Sequence, residues 1–477
     1  MEYETVIGLE VHCQLLTDSK LFCGCSTDYI GKEPNTNVCP VCLGLPGSLP
    51  VLNKKALEFA LRAAIALNCE ILPYSHFYRK NYFYPDLPKA YQITQYDIPV
   101  GRNGWIELPY SHKRIGITRI HLEEDAGKLV HPTKTGRIEH ATYSLVDYNR
   151  AGVPLIEIVS EPDFTSPSEA KEYLMELRSI VQHLGISDGN MELGSMRCDA
   201  NVSVHKKGER LGVKVELKNM NSFKALERAL NYEIERQIEL IESGGEVEQE
   251  TRHWSEPERK TISLRGKEEA QDYRYFPEPD LLPIYVNDIM LKEIKKSMPE
   301  LPADRRKRFV SMGIGEKEAS IMVIEKSIGD YFEEAVKYFD DAKIIANWIL
   351  GDFLGELNKA GMDIWDSKVK PSQLGRLLTL IKNGTISGKI AKKVFSIMFS
   401  TGEDPDKIVK REGLVQIVDT SEIEKVVDEV LRANPDAVES YHKGKVNIFN
   451  FLVGQVMKAT RGKANPNVVR DILQKKI

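Results

Sequence analysis

The hydrophobic period changes once along this chain, and that change restricts its architecture more than any other feature. Up to about residue 290, short runs alternate apolar and polar side chains, with Gly, Pro, Asn and Asp between them. From Leu291 onward, apolar residues recur at helical spacing. Strict alternation suits half-buried strands, and a repeat of about 3.6 residues suits amphipathic helices. Thr5–Leu15, Arg114–Leu122, Ser195–Val204 and Gly212–Lys218 read as strands, with helices among them over Lys54–Leu67, Ser168–Leu184 and Phe223–Ser243. Strands and helices do not alternate regularly. The expected class is therefore α+β with a mainly antiparallel sheet, rather than a doubly wound fold. Later helices are expected over Glu316–Ser327, Gly329–Phe339, Ala342–Ala360, Pro371–Lys382 and Lys389–Phe399. A last unit begins near Asp404, with helices over Ser421–Ala433, Val446–Ala459 and Asn465–Gln474. Asn465-Pro466 supplies an N-cap followed by Pro at the first helical position.

A chain of 477 residues has room for about three domains. Its 28% charged and 42% hydrophobic content is that of an ordinary globular protein. No apolar run reaches the ~18 residues of a membrane span. The start, Met1-Glu2-Tyr3-Glu4, carries acid where a signal peptide needs basic residues. The expected location is the cytoplasm. The net charge of −5 is unevenly spread: residues 440–477 hold eight Lys/Arg against one acid, Asp471. A basic end on an acidic body points to a polyanionic partner there.

Five of the seven cysteines fall within the first 42 residues. Cys23-Gly24-Cys25 is followed by 13 residues and then Cys39-Pro40-Val41-Cys42-Leu43-Gly44. Two close thiolate pairs suit tetrahedral zinc, and the second pair has the form of a zinc knuckle. Four thiolates leave no open position, so such a metal is structural. The alternative is four buried thiols without metal. Cys13, Cys69 and Cys198 lie on apolar faces and are expected in the core.

Alternation in Ile7–Leu15 sets Glu10, His12 and Gln14 on one face, opposite Ile7, Leu9, Val11, Cys13 and Leu15. In Met196–Val204 the polar set is Arg197, Asp199, Asn201 and Ser203; in Val213–Asn219 it is Lys214, Glu216 and Lys218. A fourth segment ends in Glu123-Glu124-Asp125 before a Gly turn. Adjacent carboxylates repel unless a cation or solvent screens them. Oxygen ligands with one imidazole suit Mg²⁺ or Mn²⁺. A wet sheet face is the alternative for each strand alone. Arg79–Gln92 and Asp272–Asp280 are stiff, aromatic, Pro-containing loops of a kind that rims binding sites. The chain holds no P-loop, no kinase His-Arg-Asp and no Gly-x-Ser-x-Gly elbow. Lys458, Arg461 and Lys463 close the helix of the basic tail and enter its loop. They suit phosphate contact with RNA or, more simply, favourable charge at a helix C-terminus.

Seven stretches carry a resemblance: Glu4–His12, Arg79–Gln95, Ile117–Lys128, Ser195–Val202, Glu216–Phe223, Asp272–Pro283 and Phe451–Pro466. Through them the chain resembles, over its whole length, the B-subunit family of bacterial aspartyl/glutamyl-tRNA amidotransferases. The resemblance implies a cradle domain over 1–292 bearing the kinase site and the zinc knuckle. A helical domain over 293–406 and a tail over 407–477 related to the YqeY proteins follow, and both contact tRNA. It further implies a heterotrimer, in which the A subunit is an amidase (glutaminase) and the C subunit is small. The substrates are tRNA(Gln) or tRNA(Asn) misacylated with Glu or Asp. Zinc occurs in only some members, and Cys23, Cys25, Cys39 and Cys42 put this chain with them.

The implied chemistry activates a side-chain carboxylate with ATP and then replaces phosphate by ammonia. Positioning and neutralisation of phosphoryl charge dominate such a reaction. Glu10, His12, Glu124 and Glu216 are the expected catalytic residues. Glu10, His12, Glu123, Glu124, Asp199 and Glu216 are the expected Mg²⁺ ligands. Lys80, Lys89, Arg197, Lys214, Lys218 and Asn201 are expected on the nucleotide side. Two rivals are a non-catalytic tRNA-binding scaffold and a stand-alone small-molecule amide ligase; tRNA-dependent phosphate release separates them.

Overall fold

The computed structural model describes residues 2–133, 141–266, 272–414, 420–460 and 463–477. It forms two units, Met1–Arg305 and Arg306–Ile477.

The first unit is built on β1, Tyr3–Gln14. Helix α1 follows (Lys54–Ala66), then the short strands β2 (Glu70–Ile71), β3 (Tyr74–Ser75), β4 (Tyr78–Asn81) and β5 (Tyr91–Thr94). Next come β6 (Gly101–Glu107), β7 (Arg114–Glu124), β8 (Lys128–Val130), β9 (Leu145–Asp147), β10 (Pro154–Ser160) and α2 (Pro167–His183). The unit continues with β11 (Met196–Lys206), β12 (Val215–Met220), α3 (Phe223–Glu242), β13 (Glu250–Ser255) and β14 (Lys260–Gly266). It closes with β15 (Phe276–Pro277), β16 (Ile284–Tyr285) and α4 (Asp288–Lys296).

Twelve strands make one sheet in the order β14-β13-β12-β11-β1-β10-β7-β5-β4-β15, with β6 also on β7 and β2 on β6. Its pairings are antiparallel except β12 with β13. The expected α+β class and mainly antiparallel sheet are therefore found. The β10 and β13–β14 strands, which alternation does not single out, complete the sheet.

The sheet has two chemically different faces because β1 and its neighbours alternate. Ile7, Leu9, Val11 and Cys13 are buried with Met196, Cys198, Ala200 and Val202 of β11 and Ile156 and Ile158 of β10. Leu57, Ala60, Leu61 and Ala64 of α1 join the same core, as do Tyr173, Leu174 and Leu177 of α2 and Leu226 and Leu230 of α3. Side-chain caps start all three helices, each contributing about 1 kcal/mol. Asn53 receives the Lys55 and Ala56 amides, Ser166 that of Glu169 and Ser222 that of Ala225. The helices cover the apolar face, so the polar positions of β1 and β11 lie on the other one.

The second unit is helical, with two apolar clusters. One gathers Phe309, Phe332, Phe353, Leu377 and Phe395; the other, near the C-terminus, gathers Ile423, Val427, Leu452, Val456, Val469 and Leu473. The single helix expected over Ala342–Ala360 is interrupted. Ala342–Trp348 and Leu354–Ala360 are joined by a wide π-helical turn, Ile349–Phe353. The extra residue in that turn directs Phe353 between Tyr331 and Phe395, at centroid distances of 5.3 and 5.2 Å. Among the described residues no helix is long and apolar enough to cross a membrane.

Candidate active site

The open face of the sheet collects ionisable side chains because register sets them opposite one another. His12 of β1 pairs with Glu157 of β10 on one side and Arg197 of β11 on the other. Glu157 in turn pairs with His121 of β7. Glu10 pairs with Asp199, and Asn201 with Glu216 of β12. Five adjacent strands thus present one continuous polar strip.

The strip has two centres. In the first, His12 Nε2 lies 3.4 Å from Glu123 Oε1 and 3.6 Å from Glu157 Oε2. His121 Nε2 lies 3.3 Å from the same Glu157 oxygen and 3.6 Å from Glu123 Oε2. Burial opposes charge on His121, yet Glu157 and Glu123 outweigh it and lift its pKa to about 9. The same opposition, with the same outcome, raises His12. Burial would raise Glu157 too, but the two imidazoles hold it well below the usual carboxylate range.

In the second centre, Lys218 Nζ bonds Asp199 and lies 3.1 Å from Glu216 Oε1. The Thr251 hydroxyl donates to Glu216 Oε2 at 2.8 Å, and Asn201 Nδ2 to Glu10 Oε1 at 3.2 Å. The Glu10 carboxyl is pushed up by burial first, and then by Glu157, Asp199 and Glu216. Lys214 is exposed just ahead of β12.

Arg197 is turned toward the flank of the strip. It bonds Asp125 at 3.0 Å, and Gln14 donates to the same carboxylate at 2.7 Å. Asp125 is fully buried, but Arg197 and Arg150 keep its pKa low. Lys80 lies 4.8 Å from the centroid of the Tyr273 ring. Tyr96 and Tyr275 stack at 4.1 Å and 10° nearby, and the Tyr275 hydroxyl feels the charges of Glu123 and Glu157.

Glu124 does not join its neighbour Glu123. Strand alternation sends it to the side of Ile120 and Leu122, where it bonds Lys89 and accepts the Ile93 amide at 2.8 Å. Glu10, His12, Glu123, Asp199, Asn201, Glu216 and Lys218 are therefore brought onto one strip. Glu124 and Lys89 form a separate buried pair. Glu157, His121 and Thr251 belong to the strip although sequence reasoning misses them. A lone acid inside the apolar run Pro154-Leu155-Ile156-Glu157-Ile158-Val159 is the available signal.

Cys23, Cys25, Cys39 and Cys42 converge, with all four sulfurs within 4.8 Å of one another. A hydrogen bond from Cys23 lowers the pKa of the Cys42 thiol, aided by the Cys39 amide and Lys20. That amide lies 3.1 Å from Cys42 Sγ. Four sulfurs with one thiol already favoured as thiolate fit a tetrahedral soft metal. Cys13 and Cys198 are buried in the core, and Cys69 packs against its edge.

In the tail, Lys458 is exposed at the last turn of the helix Ile448–Ala459, and Lys463 is half-buried beyond it. Arg461 lies outside the described residues.

Sequence comparison supplies the wider context for this arrangement. Residues 5–292 match the GatB/GatE catalytic domain, and residues 330–477 match the GatB domain. The chain belongs to the GatB/GatE family. It is 57% identical to the aspartyl/glutamyl-tRNA(Asn/Gln) amidotransferase B subunit of Carboxydothermus hydrogenoformans, over all of this chain and 99% of that one. The protein of that name from Caldicellulosiruptor bescii is 52% identical over the same shares. That from Moorella thermoacetica is 53% identical, with both chains fully covered.

Proposed function

We propose that this chain is the subunit of a tRNA-dependent amidotransferase that activates the misacylated amino acid. Membership of the family and full-length likeness to proteins named as the B subunit of such an amidotransferase support the reading. The observation that carries it is the strip on which Glu10, His12, Glu123, Glu157, Asp199 and Glu216 converge. An imidazole and two carboxylates within 4.8 Å of one another, with both histidines driven toward the charged form, mark a strongly negative potential that suits a divalent cation.

In this reading His12, its proton released, with Glu123 and Glu157, and with Glu10, Asp199 and Glu216 beside them, would hold Mg²⁺. The bound ion supplies neutralisation of phosphoryl charge. A side-chain carboxylate oxygen of Glu or Asp on tRNA attacks the γ-phosphorus of ATP, and ADP leaves with the broken bond's electrons. Ammonia then attacks the acyl carbon, loses a proton and expels phosphate, leaving the amide. Lys80, Lys214, Lys218 and Arg197 are the cations available to orient phosphate oxygens. Asn201 holds Glu10 in place, and the Tyr96–Tyr275 stack walls the site. Ammonia comes from the amidase, the A subunit, in a cytoplasmic heterotrimer whose third member is a small C subunit. The domains proposed are 1–292, 293–406 and 407–477, with the four cysteines holding structural zinc in the first.

Replacement of Glu216 tests the reading. Glu216→Ala should lose phosphate release from labelled ATP on Glu-tRNA or Asp-tRNA, while the assembled enzyme still hydrolyses glutamine. Full amidation by that variant would contradict the assignment, and ATP turnover unaffected by every acid on the strip would favour a binding scaffold instead.

The basic tail makes a separate prediction. Lys458→Ala with Arg461→Ala and Lys463→Ala should weaken tRNA binding and flatten its salt dependence by about one unit of log–log slope for each phosphate partner removed. An unchanged slope in filter binding would leave these side chains a role at the helix end alone.

A further inference from the structure

Lys218 occupies a position among the acids that a phosphate-binding lysine does not need. Its ammonium bonds Asp199 and lies 3.1 Å from Glu216 Oε1. Both Glu216 oxygens are thereby engaged, since Oε2 accepts from the Thr251 hydroxyl at 2.8 Å. A metal ion drawn in between Asp199 and Glu216 would meet the ammonium that already contacts both. The Lys218 and Thr251 contacts differ in how readily they give way. Thr251 is buried, 3% exposed, on a strand paired directly with Glu216. The Lys218 side chain keeps 39% of its exposure, and its flexible four-carbon stem can reach solvent. A cation entering between Asp199 and Glu216 would also stand within a few ångströms of the ammonium and repel it.

We propose that Lys218 is a placeholder cation. It holds Asp199 and Glu216 together before the divalent ion binds, is displaced by that ion, and then turns to the phosphates of the nucleotide. Thr251 is the fixed partner that keeps Glu216 oriented through the exchange. This inference rests on the reading of the acidic strip as a divalent-ion site.

The placeholder role makes two effects of opposite sign, which a merely structural lysine would not. Removing the ammonium removes a competitor for the metal and also removes a phosphate partner. Mn²⁺ alone should be titrated into the full chain by calorimetry, for wild type, Lys218→Met, Lys218→Gln, Lys218→Arg and Glu216→Gln. Both neutral variants should bind Mn²⁺ about fivefold more tightly than wild type, and Lys218→Arg no more tightly. ATP, added with saturating Mn²⁺, should bind the neutral variants several-fold more weakly. Equal or weaker Mn²⁺ binding in both neutral variants, with wild type binding it and Glu216→Gln impaired, would overturn the placeholder and leave the metal site standing. A wild-type chain that takes up no Mn²⁺ would overturn both.

Discussion

Glu157→Gln should lower ATP-dependent amide formation by about two to three orders of magnitude, a larger loss than expected from any lysine on the strip. The reason is its central position. Glu157 pairs in register with His12 on one side and His121 on the other. Its Oε2 reaches both imidazoles, at 3.6 and 3.3 Å, and Arg119 approaches Oε1 at 3.6 Å. A neutral amide keeps the volume but leaves the buried His121 and the half-buried His12 without the carboxylate they share. It also withdraws one of the three atoms of the His12–Glu123–Glu157 cluster. Calorimetric titration with Mn²⁺ should show the metal affinity falling with the rate, while glutamine hydrolysis by the assembled enzyme is unchanged. A variant with unaltered metal affinity and rate would show that the cluster around His12 does not take part in the reaction.

That Glu157 escapes sequence reasoning, and that Glu124 lies off the strip beside Lys89, have one physical source. Alternation identifies a face only while register is unbroken. Along β1 it is unbroken from Glu10 to Gln14, so Glu10, His12 and Gln14 are legible, as are Asp199 and Asn201 on β11. Along β7 it is not. Val159 pairs with Arg119 but Ser160 with Ile117, so Thr118 is a bulge. Ile115 and Ile117 face the core before the bulge, and Ile120 and Leu122 face it afterwards. The odd-to-even switch carries Glu124 toward Ile93 and Lys89, and leaves His121 and Glu123 with His12. Counting straight through from Arg114 gives the reverse. On β10 the apolar residues flanking Glu157 are buried on both faces, so a strand there has no amphipathic signature. Thr251 lies on β13, whose parallel pairing with β12 joins distant segments and has no local sign. The fold class is legible because it depends on the change of period at about residue 290, which no single bulge alters.

Removing metal from the four-cysteine cluster should open the segment between Cys23 and Cys42 to trypsin at Lys32, raising its cleavage rate by about a hundredfold or more. The argument starts from how little apolar surface orders this segment. Phe22 and Cys42 are buried, but the stretch between them is mostly exposed, and Ile30 is 64% exposed. No helix or strand of three residues or more runs through it. What orders it is the convergence of the four sulfurs together with polar contacts: the Asn37 amide donates to Asn149 at 2.8 Å, Lys20 reaches the Asn37 carbonyl at 2.9 Å, the Asn35 amide donates to Asp147 at 3.0 Å and Asn149 donates to the Glu33 carbonyl at 2.8 Å. Where metal binding and local folding are coupled, the free energy of one is that of the other. The consequence extends past the loop. Gly44 has φ +64, and a Cβ there would lie 2.3 Å from Lys89 Cγ, so the knuckle packs directly on the lysine that bonds Glu124. Cys42→Ser should therefore reproduce the proteolysis seen with a chelator and also loosen Lys89. Metal analysis of the purified chain should return about one zinc per chain. Zero zinc, with trypsin resistance unchanged by chelator, would mean that the four thiols and their neighbours hold the segment without a metal.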